Sequence, residues 1–341
     1  LNFRGSTKIT DGISAYGFWE QNWEHKADSS NPGNDFRYAY VGVNFGEFGD
    51  LRFGRWEQAL DWVTNVTDKI EEIGGASACF GDNRQSGQIG YEWNGYGVTF
   101  GLRYQTAVNN GNQDLGVKED VDSGFGVYAG YTSPDVLFGP ISIRVGYLYE
   151  KYQYDENDAE QLAIGLDENY YYYNLKNAKT FAVGLSWGNH GKGPYIGAEY
   201  SYQKNKITNQ KVVPYYYDAG LRVNEESTEI DANTTIKLYG FEVMASYGFD
   251  FGLVLSACYH FKKAKVGAGY QGENVSATAK EKYLSLIAAY NVNPNFRVWF
   301  EAHLDCDSDD DGIFYDYGSS KKADGTVKAE NAYMLGVRYT F

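Results

Sequence analysis

Ala329-Glu330-Asn331-Ala332-Tyr333-Met334-Leu335-Gly336-Val337-Arg338-Tyr339-Thr340-Phe341 alternates almost without a break. Tyr333, Leu335, Val337, Tyr339 and Phe341 share one face of an extended strand. Met334, Gly336, Arg338 and Thr340 share the other, because successive strand side chains point to opposite sides. One face is apolar and edged with aromatics, and the other is small, polar or charged. Segments of about ten residues with that two-sided character suit strands that cross a bilayer with one side in lipid and one in water.

The pattern recurs along the chain. Tyr239, Phe241, Val243, Ala245, Tyr247 and Phe249 alternate with Gly240, Glu242, Met244, Ser246 and Gly248. Phe296, Val298, Phe300 and Ala302 alternate with Arg297, Trp299, Glu301 and His303. The charges Glu242, Arg297 and Glu301 thus oppose the aliphatics. On a lipid face Arg or Lys costs roughly 2–4 kcal/mol at the midplane, a penalty that a wet lumen largely removes. The alternation predicts strands near 1–10, 13–26, 36–46, 48–57, 85–94, 96–107, 123–133, 140–155, 177–188, 193–206, 234–249, 252–264, 280–292, 296–305 and 329–341.

Composition agrees. Mean hydropathy is -0.51, and no run approaches the ~20 apolar residues of a membrane helix. The 32 Tyr, 19 Phe, 7 Trp and 40 Gly suit aromatic-edged strands with tight turns. A net charge of -15 argues against nucleic acid, which needs clustered Lys and Arg. Acidic loops suit instead an outer leaflet of lipid and lipopolysaccharide bridged by divalent cations. Three cysteines give no paired framework. Cys258 alternates with Ser256 and His260 and reads as a small interior-facing residue.

Connections alternate between short turns (Pro134-Asp135, Gly191–Pro194, Asp250–Gly252, Asn293–Asn295) and long polar loops near 108–122, 156–176, 207–233, 265–279 and 306–328. Short turns on one side and long loops on the other are the topology of outer-membrane barrels. The reading is a single all-β domain over 1–341, a transmembrane antiparallel β-barrel. Fifteen strands are odd where bacterial barrels are even, so sixteen are expected, the first upstream of Leu1.

One connection departs from the pattern. Gln58 to Asn83 mixes the apolar residues Leu60, Trp62, Val63, Ile70 and Ile73 with Asp61, Asp68, Glu71 and Glu72. Apolar anchors need a surface, and the barrel's inner wall is the one available. Folded inward, this loop would narrow the channel and present its carboxylates to the opening.

At this point a resemblance becomes specific. Phe36-Arg37-Tyr38-Ala39-Tyr40-Val41-Gly42, Arg52-Phe53-Gly54-Arg55, Thr67-Asp68 and Glu72-Ile73-Gly74-Gly75 resemble the trimeric general porins of Gram-negative outer membranes. The intervals agree from Arg37 to Gly75, and the spacing to Arg84 fits. The resemblance implies a sixteen-stranded homotrimer constricted by the inward loop at about 58–83. It matches Asp68 and Glu72 to the family's loop carboxylates, and Arg37 and Arg84 to two of its wall arginines. Departures are Glu71 in place of a proline, Glu57 and Asp61 where tyrosines are common, and Trp62, a surface on which a solute could stack.

The expected constriction therefore carries Glu57, Asp61, Asp68, Glu71 and Glu72 against Arg37, Arg55, Arg84 and Lys69. Near balance there leaves the charge of -15 to tilt the mouth negative. The expectation is passive diffusion of small hydrophilic solutes and ions, with weak cation selectivity; an oligosaccharide-specific porin is the alternative. The four histidines are dispersed without triad or metal spacing, so no enzyme is expected and no cofactor. Asp307-Ser308-Asp309-Asp310-Asp311-Gly312 fits the opening of a calcium loop, although its twelfth position is Gly318 and not Glu. Asp307, Asp309 and Asp311 are candidate ligands for calcium or magnesium there.

Overall fold

The computed structural model describes residues 1–24, 33–71, 84–108, 121–153, 162–166, 169–218, 221–224, 228–230, 235–270, 273–306, 320–321, 327–328 and 331–340. The first eight strands are β1 (Asn2–Thr10), β2 (Ile13–Glu24), β3 (Gly33–Asn44), β4 (Asp50–Glu57), β5 (Arg84–Gly95), β6 (Val98–Gln105), β7 (Val121–Val136) and β8 (Gly139–Tyr152). After the short β9 (Leu162–Leu166) come β10 (Asn169–Asn189) and β11 (Lys192–Asp218), then the short β12 (Leu221–Asn224) and β13 (Thr228–Ile230). The last long strands are β14 (Thr235–Gly248), β15 (Leu253–Tyr270), β16 (Glu273–Asn293), β17 (Phe296–Asp305) and β20 (Ala332–Tyr339), with the two-residue β18 (Ser320–Lys321) and β19 (Val327–Lys328) between.

Fifteen of these are long, the number that the alternation predicts. Each pairs antiparallel with its neighbour in the chain, giving one continuous curved sheet. Among the described residues β1 pairs with β2, β20 pairs with β17, and no ladder joins β1 to β20. Helix is confined to one 3-10 turn (Gly46–Phe48) and to α1 (Asp61–Thr64) among the same residues.

The sheet has its apolar face outward. Along β14, Phe241, Val243, Ala245 and Tyr247 are exposed, whereas Gly240, Glu242, Met244 and Ser246 are buried. Phe181, Ile196, Leu255, Phe300 and Leu335 extend that outward belt across neighbouring strands. Apolar area left in water forfeits about 25 cal/mol per Å², so such a belt is stable only against lipid. Cys258 is buried on the inner face, as its alternation predicts.

Two sequence expectations are corrected. Pro134-Asp135 lies inside β7, and the turn is Leu137-Phe138. The ladder is irregular between Thr132 and Asp135, a place where a residue without an N–H is tolerated. Likewise Lys192–Pro194 already belongs to β11, after a turn at His190-Gly191.

The strands β10 and β11 also run well past their expected ends into what reads as loop. Tyr170 pairs with Val213 and Tyr172 with Lys211, because tyrosine and valine favour extended backbone even within polar sequence. The strands β15 and β16 continue in the same way, Gly267 pairing with Ser276.

Candidate functional site

After Glu57 the chain leaves the sheet and turns across its inner face. Ala59, Leu60, Val63 and Val66 are all essentially inaccessible to water. Ala59, Leu60 and Val63 pack with Tyr128 of β7, Leu148 of β8 and Ala182 of β10. Full burial of a Leu or Val contributes about 1.5–3 kcal/mol, enough to hold so short a helix. α1 is a single turn, so packing and not intrinsic propensity holds it.

The wall beneath is shaped for this segment. A Cβ at Gly146 would lie 2.6 Å from Leu60 Cδ2; at Gly184 it would lie 2.1 Å from the Val63 carbonyl oxygen, and at Gly197 2.5 Å from that of Val66. These glycines sit on the adjacent strands β8, β10 and β11, so missing side chains form a bed for loop backbone.

Polar contacts fix the segment in register. Arg144 of β8 donates to the Trp62 carbonyl at 2.7 Å and to Asn65 Oδ1 at 2.5 Å. Its guanidinium also lies 4.6 Å from the Trp62 ring centroid. The Tyr195 hydroxyl donates to the Val66 carbonyl at 2.6 Å.

Further on, Ile70 packs against two groups, Tyr195, Met244 and Cys258 on one side and Ile287, Ala289 and Trp299 on the other. The Glu71 carboxylate then meets Arg297 of β17 at 2.5 Å and Arg338 of β20 at 2.9 Å. Its backbone N–H donates to Glu301 Oε1 at 2.5 Å. The segment thus reaches from β4 to β20 across the inner face.

The other expected residues fall as follows. Arg37 stands where the β2–β3 ladder shifts register and pairs with Glu20 at 2.8 Å. Arg55 donates to the Phe36 carbonyl at 2.9 Å and to Ser86 Oγ at 3.2 Å. Arg84 is opposite Glu57 in the ladder and lies over the Tyr38 ring, while the Tyr38 hydroxyl donates to Glu57. Asp61 opens α1. Trp62 lies 5.2 Å from the Tyr128 ring, so much of its ring already has protein neighbours. Glu72 and the aspartates Asp307, Asp309 and Asp311 lie outside the described residues.

Asp68 is open to the lumen at its surface, but wall and loop enclose it on the scale that governs solvation. That desolvation raises its pKa; the adjacent Lys69 charge opposes the shift and Glu242 reinforces it. Desolvation lowers the pKa of Lys69, against the pull of Asp68. Enclosure sets the direction of the Asp68 shift, because a few open atoms do not restore a bulk-like dielectric.

Sequence reasoning overlooked Arg144, Arg297 and Arg338 as partners of the loop. The signal was present: Arg144 alternates with the outward Ile143 and Val145, as Arg297 does with Phe296 and Val298 and Arg338 with Val337 and Tyr339.

An antiparallel sheet with lipid-facing aliphatics, a charged inner face and a loop laid across that face defines a channel-type β-barrel of the bacterial outer membrane. More specifically, the chain belongs to the Gram-negative porin family, whose family model matches residues 1–341. Its members are channel proteins and not enzymes. Outer membrane protein S2 of Salmonella typhi is 26% identical over all of this chain and 85% of its own length. The porin PhoE of Citrobacter freundii is 28% identical over 91% of this chain and 78% of its own. Among solved structures, Salmonella typhi OmpF in complex with daunomycin superposes with a TM-score of 0.65 at 20% identity, covering 99% of this chain and 88% of that one. The outer membrane channel DcaP of Acinetobacter baumannii gives 0.64 at 15% identity, covering 100% and 84%. These two structural likenesses bear on the fold.

Proposed function

We propose that this porin forms a water-filled diffusion channel for small hydrophilic solutes and ions, narrowed by the loop at about 58–83 and weakly cation-selective. The observation that carries the reading is the course of Gln58–Glu71, seated on wall glycines at one end and ion-paired to Arg297 and Arg338 at the other. A segment held at both ends across the inner face leaves a passage beside it lined by charged groups.

Opposed fixed charges in a narrow, low-dielectric passage orient dipolar solutes and sort ions by sign. Glu71 and Glu301 are balanced there by Arg297 and Arg338, so local charge is near neutral. The net charge of -15 then raises cation concentration within a Debye length of about 10 Å at 0.1 M salt. The working unit is a homotrimer in contact with lipid and lipopolysaccharide, a reading supported by the trimer form solved for OmpT of Vibrio cholerae.

Planar-bilayer recording tests the proposal. Large ohmic steps, in groups of three, are the expected result. Blockade by added oligosaccharide would favour the substrate-specific alternative, and no conductance would refute both. Trp62 already contacts Tyr128 and Arg144, which favours the general channel.

A further inference from the structure

Beneath Ile70 the inner wall holds a buried set of acidic, thiol and imidazole groups. Glu199 of β11 stands opposite Glu242 of β14, which stands opposite His260 of β15. Cys258 is two residues from His260 on the same face. Exposure is 2% for Glu199 and 0% for Glu242, Cys258 and His260. His260 Nδ1 lies 2.9 Å from Glu242 Oε1. Its ring stacks on Tyr283 at 4.2 Å and 15°, which fixes the imidazole plane. One donor atom each from Glu242, Cys258 and His260 fall within 4.8 Å of one another.

Among the described residues, neither carboxylate oxygen of Glu199 has a hydrogen-bond partner, and neither does His260 Nε2. Like charges directly opposite in a ladder repel, and a buried carboxylate without a counter-charge is strongly disfavoured. Glu242 faces His260, whereas Glu199 needs a proton or a cation to offset its charge. The neighbouring thiol and imidazole discriminate between them. Together with carboxylate they form a donor set suited to zinc-class ions, and one that calcium and magnesium do not favour.

We infer that Glu242, Cys258 and His260, with Glu199 as the fourth donor, bind a divalent transition-metal ion of the zinc class in the inner wall. Tetrahedral coordination at about 2.0–2.3 Å places donor atoms about 3.3–3.8 Å apart, so the Glu242, Cys258 and His260 donors need to close in by about 1 Å, and the Glu199 side chain, which stands outside that group, swings in to join them. Binding converts the Cys258 thiol to a metal-bound thiolate and releases its proton to solvent, with no change of oxidation state. The inference rests on wall residues alone and is independent of the channel reading.

The test uses the full chain, folded in detergent and stripped with chelator, carrying Cys79→Ser and Cys306→Ser so that Cys258 is the remaining thiol. Calorimetric titration with Zn²⁺ is expected to give one ion per chain, and Co²⁺ is expected to give a thiolate-to-metal absorption band. His260→Ala, Cys258→Ser and Glu199→Gln should each weaken Zn²⁺ binding by about tenfold or more. Should a substitution prevent folding, the cobalt band of the chain with Cys258 intact decides, its presence supporting the site and its absence overturning it. Unchanged Zn²⁺ affinity in folded variants, or no stoichiometric binding, also overturns it and leaves a shared proton as the explanation.

Discussion

The Glu71 carboxylate meets the Arg297 guanidinium at 2.5 Å, joining the end of the described loop segment to a strand near the C-terminus. The pair is neither at the surface nor fully enclosed: Glu71 is 10% exposed and Arg297 27%. Surface pairs contribute below about 1 kcal/mol, and breaking a buried pair costs about 3–5 kcal/mol. Glu71→Gln should therefore cost roughly 1–3 kcal/mol, between those limits. A double-mutant cycle with Arg297→Gln in denaturant unfolding measures it. Open-channel noise should rise as the loop end loosens; unchanged noise would mean that apolar anchoring alone holds the segment.

The glycine bed gives a second expectation. Gly184→Ala places a methyl 2.1 Å from the Val63 carbonyl oxygen, and a backbone atom cannot swing aside as a side-chain tip can. Overpacking of this kind costs about 1–3 kcal/mol. Gly5→Ala is the control, because a Cβ there meets nothing within 4 Å. Thermal unfolding midpoints should fall for the first variant and stay unchanged for the second.

Arg144 serves two acceptors on the loop, Ser142 Oγ on its own strand and one ring at once, which a lysine ammonium cannot reproduce. Arg144→Lys should lose about 1.5–3 kcal/mol of local stabilisation, the range for hydrogen bonds to charged groups. Amide hydrogen exchange over residues 60–66 is the readout, with faster exchange there and none of that acceleration in β14.

Much of this architecture is legible in alternation alone. Period-two patterning locates the fifteen long strands and their outward faces, because one-residue slips would put Glu242 or Arg297 in lipid. Strand ends are less legible. Tyr170–Tyr173 extend β10 through pairing with β11, and that pairing depends on a partner remote in sequence. The loop's partners are hidden for the same reason. Alternation says that Arg144, Arg297 and Arg338 face inward, but not which strand the loop crosses. The wall cluster of Glu199, Glu242, Cys258 and His260 is equally dispersed, coming together only through ladder register.

Asp68 supplies a pH dependence whose sign is set by its raised pKa. The native chain holds the Asp68 proton more tightly than the unfolded chain, so native molecules bind more protons between the ordinary value of 3.8 and the raised one. Stability from this group is therefore full below 3.8 and falls as pH rises through the native value. Asp68→Asn should remove that slope. Unfolding free energy measured against pH in both proteins checks it, and an identical slope in the two would contradict the assignment.

The most direct measurement is the reversal potential across a planar bilayer under a KCl gradient. The account predicts a modest potential of the cation-preferring sign, larger at low salt, reduced by Asp68→Asn with Glu72→Gln and increased by Arg37→Ser. An anion-preferring potential in the unsubstituted channel, or no response to the double substitution, would contradict a passage whose selectivity is set beside this loop.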